Sequence, residues 1–328
     1  MLEKIFGSNN TLALYVIPFL VLLLALFAWF SGANQLSDGL STYHLSKLIS
    51  NWQWPAGLQV FVMAIIHTVG AWVITTMASG YDMHEKPNHW PGLLYVLLNT
   101  MHPSLWLWNG FAPANLLLLL AMRRMLQINQ LNKVGANVFD AGLYLGLAGF
   151  FQPGYWFILI VAFIILGVMR PFKWREYAIL LIGYLVPFYF YTLILVWIGK
   201  LTLLNQLFSG EINSLSFYNL QAKIIVVSLV FYTSCSWLLT LSSMRYSTII
   251  ERKQKRVLIY LSAVVLMVSF GLGGKKVVQL FSWHSIPLAL LVPFFIQWLK
   301  RTWLQNLLIL TLLAILVLNY LYFPIISH

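Results

Sequence analysis

Two adjacent lysines, Lys275 and Lys276, follow the glycine-rich run GLGG at 271–274, between stretches that are almost wholly apolar. Paired ammonium groups beside glycines, which let a ligand approach the backbone, suit an anion such as a lipid phosphate or diphosphate. Asp38, in QLSDGLS, is one of only eight acidic residues in 328. A carboxylate placed near a membrane surface serves as a general base or orients an acceptor hydroxyl. His102, ahead of Pro103, and His284, in FSWHSIP, add imidazoles able to give a proton or touch a phosphate. The candidate site therefore has Asp38 as its catalytic group and Lys275, Lys276, His102 and His284 as phosphate contacts. Plainer roles stay open for each. The lysines can cap a helix C-terminus and snorkel to headgroups, Asp38-Gly39 can make a turn, and the two histidines can be satisfied core residues.

The elements that must position these residues are apolar runs separated by short polar segments. Runs at 12–30, 58–78, 177–199, 223–243, 258–274, 280–299 and 304–323 are long enough, or nearly so, to cross the ~30 Å hydrocarbon core as helices. Shorter runs at about 91–107, 109–125, 135–151 and 153–169 bring the expectation to about eleven helices. Apolar residues make up 60% of the chain and charged ones 9%, against about a quarter charged in soluble proteins. In lipid every backbone polar group must be paired internally, and these runs lack the two-residue alternation of a barrel. The fold class expected is all-α, a polytopic transmembrane bundle forming one integral membrane domain over 1–328. An external loop at 31–57 carries Leu45, Leu48, Ile49 and Trp52 at the spacing of an interfacial amphipathic helix. A second external loop covers 200–222. His102-Pro103, Gly110 and Pro113 break helices 3 and 4.

Charge sets the orientation. Fifteen of the 20 Lys and Arg residues fall in alternate segments. They include Lys4, Lys86, Arg123, Arg124, Lys133, 170–175, 245–256, Lys300 and Arg301. Lys47, Lys200, Lys223, Lys275 and Lys276 fall in the others. The positive-inside rule then puts the N-terminus in the cytoplasm and the C-terminus outside. The net charge of +12 is thus a topology signal and a contact with anionic membrane lipids, not a nucleic-acid surface. Asp140 is expected to pair with Arg123, Arg124 or Lys133, and Glu176 with the cations of RPFKWRE. His67, in mid-helix, is expected to bond a neighbouring helix. His84 and His89, beside Asp82 and Glu85, are expected in a solvated loop. Cys235 reads as a buried, inert thiol, and MLEKIFGSNN as the lead into a retained first helix rather than a cleavable signal. No nucleotide, hydrolase or metalloprotease motif is present, and no cofactor is implied.

The phrases NHWPGLLYVLL (88–98), NVFDAGLYLGLAGFFQP (137–153) and RPFKWREYAILLIGYLVPFYF (170–190) resemble a family of uncharacterised Bacteroidetes inner-membrane proteins, often labelled beta-carotene monooxygenases. The resemblance implies a multi-pass protein of a Gram-negative inner membrane and gives no reaction. Iron chemistry needs His or carboxylate ligands converging on one point, which seven scattered histidines do not supply. A first helix followed by Asp38 and an interfacial segment is also similar to GT-C membrane glycosyltransferases. That likeness implies an enzyme acting on a polyprenyl-phosphate-linked glycan at the periplasmic face. The alternative is a non-catalytic membrane subunit of a cell-envelope complex, with other membrane proteins as partners, or a transporter.

Overall fold

Leucine, isoleucine, valine and phenylalanine dominate the long runs, and once the backbone closes its own hydrogen bonds such runs have one stable form in an apolar medium, the helix. A computed structural model describes residues 6–7, 12–30, 54–81, 83, 88–128, 134–200, 204, 220–271, 279–299 and 301–326. Among these residues there are eleven α-helices and no strand. They are α1 (Leu12–Phe30), α2 (Ala56–Gly80), α3 (Trp90–Asn99), α4 (Phe111–Gln127), α5 (Gly135–Phe151) and α6 (Ile158–Met169). The second half holds α7 (Trp174–Ile198), α8 (Leu220–Ser243), α9 (Ile249–Gly271), α10 (Gln279–Trp298) and α11 (Thr302–Ile326). Short 3-10 turns at Pro103–Trp106, Pro153–Phe157 and Met244–Tyr246 join α3 to α4, α5 to α6 and α8 to α9.

Successive helices run in opposite directions between two ends of the bundle. At one end the His89 N–H donates to the Phe6 carbonyl (2.8 Å). There Gln254 Nε2 donates to the Tyr81 carbonyl and Lys253 Nζ to that of Met169, each at 3.0 Å. Arg124 pairs with Asp140 at 3.3 Å, the partnership expected for that acid. We call this the basic end. At the opposite end Trp29 covers Gly57, and the Trp108 N–H donates to Gln59 Oε1 (3.0 Å). Arg124 and Asp140 are both more than a third exposed, so replacing Asp140 with asparagine should cost under ~1 kcal/mol in a double-mutant cycle with Arg124→Gln.

Four helical segments are long and apolar enough to cross a membrane: Ala56–Gly80, Trp174–Ile198, Val226–Ser243 and Trp303–Leu321. Their outward faces are apolar. On α7, Trp197 is 89% exposed, and Tyr189, Phe190, Ile182 and Ile194 are exposed with it. A continuous apolar face of this size is incompatible with water and fits lipid. The protein is a helical membrane protein.

Two boundaries depart most from the sequence reading. The basic segment 245–256 was expected as a loop ahead of helix 9, yet α9 starts at Ile249 and carries 251–256 in its first turns. Glu, Arg, Lys and Gln are good helix formers, and a reciprocal capping box starts the helix: the Glu251 N–H donates to Thr248 Oγ1 and the Thr248 N–H to a Glu251 carboxylate oxygen. Helix 3, expected over about 91–107, stops at Asn99.

α7 leans on α5 through glycine. A side chain at Gly142 would run into the Leu180 carbonyl and stand 2.9 Å from the Tyr184 N–H. One at Gly146 would meet the Tyr184 carbonyl, and one at Gly183 the Phe139 carbonyl. The two backbones therefore touch, as small-xxx-small pairs allow.

Candidate functional site at the break in α3

Residues 88–112 are all buried, although only 90–99 and 111–112 of them lie in α-helices. Pro103 lacks an amide hydrogen and pushes His102 out of helical geometry (φ −139°, ψ 142°). Chain without helical bonding is tolerated at membrane depth only where protein satisfies its polar groups. Here side chains supply the partners. Tyr320 Oη donates to the Thr100 carbonyl (2.9 Å) and Asn319 Nδ2 to that of Met101 (3.1 Å). Asn109 Nδ2 donates to the carbonyls of Leu105 (2.8 Å) and Leu107 (3.0 Å). Its Oδ1 accepts from the N–H groups of Phe111 and Ala112, starting α4. The indole N–H of Trp106 donates to Tyr320 Oη at 2.6 Å.

Beside the break lies a network of uncharged polar groups. Asn115 of α4, 0% exposed, reaches three acceptors through Nδ2: Asn99 Oδ1 (2.8 Å), the Ser282 carbonyl (2.9 Å) and Ser285 Oγ (3.1 Å). Its Oδ1 accepts a short hydrogen bond from Tyr155 Oη. The Tyr155 ring stacks on Trp283, centroids 4.7 Å apart, and Trp283 meets Phe111 edge-on. Helices α3, α4 and α10 and the 3-10 turn ahead of α6 thus converge on one amide.

The model of a family of unknown function, DUF6427, matches residues 49–328, taking in α2 to α11 and every residue of this network. The chain belongs to the DUF6427 family. No curated protein and no solved structure matches it. Within the DUF6427 match lie His102, Lys275, Lys276 and His284, while Asp38 precedes it.

Of the residues singled out in this DUF6427 chain, Asp38, Lys275 and Lys276 lie outside the described residues, as do the interfacial segment 45–52, Asp82, His84, Glu85 and Lys133. The helix ends that flank 31–53 and 272–278 lie at the end of the bundle opposite the basic one. His102 sits in the break, where its Nδ1 accepts from the Ser104 N–H (3.2 Å) and lies 2.8 Å from Ser104 Oγ. The ring caps the 3-10 turn. His284 is buried in α10, between the Trp283 that covers Tyr155 and the Ser285 that meets Asn115. Glu176 is buried in the first turn of α7, where its charge complements the helix dipole. Cys235 is partly buried in α8. No group of three metal-ligating side chains occurs among the described residues.

His89, expected in a solvated loop, is instead buried ahead of α3. Burial lowers its pKa from the ordinary 6.5. The unfolded chain then binds a proton more readily than the folded one, so stability is full above about pH 6.5 and declines as pH falls through that value toward the folded pKa. Thermal melts of wild type and His89→Gln between pH 7.5 and pH 5 should show a smaller loss for the variant on the acid side, and parallel losses would rule His89 out as the source.

Sequence reasoning missed Asn99, Asn115, Tyr155, Ser282 and Ser285 because it searched for titratable groups. The available signal was uncharged: Asn115 before a run of five leucines, and serines three apart on α10.

Proposed function

We propose that this DUF6427 chain is a multi-pass protein of a bacterial inner membrane, N-terminus cytoplasmic and C-terminus periplasmic, that takes a polar solute into the break of α3 and passes it across the bilayer. One observation carries the reading. α3 has 10 residues, so at 1.5 Å per residue it rises about 15 Å, half the hydrocarbon core. Transporters place their binding sites where discontinuous helices meet at such depth, with unwound backbone lining the site. The convergence of α4 and α11 side chains on 99–101, with α10 bonded to the same Asn115, supports this. The excess of cations at the basic end supports the orientation.

Solvent access tests it without knowledge of the solute. In a Cys235→Ser background, cysteines placed at Asn99 and at Thr100 should react with a membrane-impermeant maleimide from at least one face of proteoliposomes. Absence of labelling from both faces, with an exposed control at Arg245 reacting normally, rejects a solute path through the break.

A second reading keeps the enzyme, a GT-C-like catalyst at the periplasmic face with Asp38 as base and Lys275 and Lys276 on a polyprenyl phosphate. It is favoured by the emergence of both linkers, α1–α2 and α9–α10, at one end of the bundle. Glutamine at both lysines should weaken binding of a polyprenyl phosphate, and unchanged binding ends this reading.

A further inference from the structure

The carbonyls of the break are met by side chains, whereas His67 and Tyr95 beside it carry buried polar atoms with no hydrogen bond among the described residues. His67, 1% exposed in the middle of α2, has neither ring nitrogen hydrogen-bonded among the described residues. Sequence reasoning expected that ring to bond a neighbouring helix. Its close neighbour is instead Trp106 of the 3-10 turn, edge-on with centroids 5.5 Å apart, whose N–H is already given to Tyr320. Tyr95, 0% exposed on α3, has a hydroxyl with no hydrogen bond among the described residues.

The two belong to one place. A side chain begun at Gly70 would stand 2.6 Å from Tyr95 Oη, so the phenol rests in the notch that this glycine leaves on α2. His67 lies three residues earlier on the same helix, and side-chain origins at that spacing are about 5–6 Å apart. The hydroxyl and the imidazole thus share one face of α2, level with the end of α3. Leaving a buried donor or acceptor unmet is costly, because the group has given up water for nothing in return. Two such groups on one face of α2, beside a break whose carbonyls are met by side chains, call for a partner from outside the fold.

Their chemistry defines that partner. A neutral imidazole offers one donor and one acceptor, and a phenol the same. Among the described residues the buried charged side chains are Glu176 and Lys255, and both belong to the basic end. An ion at His67 would lack a counter-charge, which a low-dielectric interior penalises heavily.

We propose that His67 and Tyr95 are the contact residues for a small, uncharged solute that both gives and accepts hydrogen bonds, of the size and type of urea or glycerol. The proposal rests on the solute-transport reading above and names its substrate class.

Osmotic-shock light scattering on proteoliposomes of the full chain tests it, with urea and glycerol as probes. Wild type should pass at least one of them several-fold faster than protein-free vesicles. His67→Phe and Tyr95→Phe should each bring that flux close to the protein-free baseline, and His67→Gln, which keeps a donor and an acceptor, should retain part of it. Both phenylalanine variants remove an unmet group and nearly preserve shape, so their melting temperatures should be at or above that of wild type. Flux in the phenylalanine variants equal to wild type overturns the site while leaving transport through the break intact. No flux of either probe in wild type overturns the substrate class, and labelling at position 99 still reports separately on access to the break.

Discussion

Replacing Asn115 with leucine should destabilise the bundle by roughly 2–6 kcal/mol, since each buried polar group stripped of its partner costs about 1–3 kcal/mol. Two groups are orphaned. Tyr155 Oη loses the oxygen it donates to, and Asn99 Oδ1 loses its amide donor. Ser282 and Ser285 keep each other, because Ser285 Oγ donates to the Ser282 carbonyl at 2.8 Å. Isolated interhelical hydrogen bonds in membranes average only about 0.6 kcal/mol, since the unfolded chain in lipid also finds partners. Asn115 should exceed that figure because one amide ties four groups at zero exposure, and such networks respond as units. Tyr155→Phe removes one donor and leaves the amide's other bonds, so it should cost much less. Unfolding by detergent titration separates the cases. An Asn115→Leu loss no larger than that of Tyr155→Phe would mean the network is not shared.

The second large effect is expected at Gly142. Leucine there should detach α7 from α5, at a cost of about 3 kcal/mol or more, at the upper end of overpacking penalties because the obstacle is backbone. The new side chain meets the Leu180 carbonyl and the Tyr184 N–H, and neither can swing aside as a rotamer would. Gly142→Ala should show the same direction with smaller size. Cysteine at Leu180, buried in α7, reports the outcome in a Cys235→Ser background. It should be protected from a lipid-soluble maleimide in the parent and reactive in Gly142→Leu. Continued protection would show that the helices accommodate the bulk without separating.

The sequence made the helices legible because lipid-like composition leaves the backbone few choices. α1 and α5 begin and end at the residues expected, 12–30 and 135–151, and α7 closes one residue early at Gly199, whose positive φ of 71° ends the helix. Less visible was anything depending on which faces meet. Gly142 and Gly146 stand in GLYLG with the spacing of a close-packing pair, yet only the fold shows that α7 is the partner. The Asn115 centre draws on residues as far apart as 99 and 285, and no local pattern joins them. Charge misled in one place: the run 251–256 reads as a solvated loop, but its side chains lie along a helix end, where Lys255 is buried against Phe294. For the proposed catalytic group the limit is different, since Asp38 and the lysine pair fall outside the described residues.

The Thr100 and Met101 carbonyls find their partners 220 and 218 residues later in the chain, in Tyr320 and Asn319. During synthesis the ribosome must therefore deliver the chain through residue 320 before the segment that follows α3 can settle. Until then two bare carbonyls face lipid, and a nascent chain halted before residue 319 is a substrate for membrane quality control. A stop codon late in the gene would thus behave as a lesion at the heart of the bundle rather than as a trimmed tail.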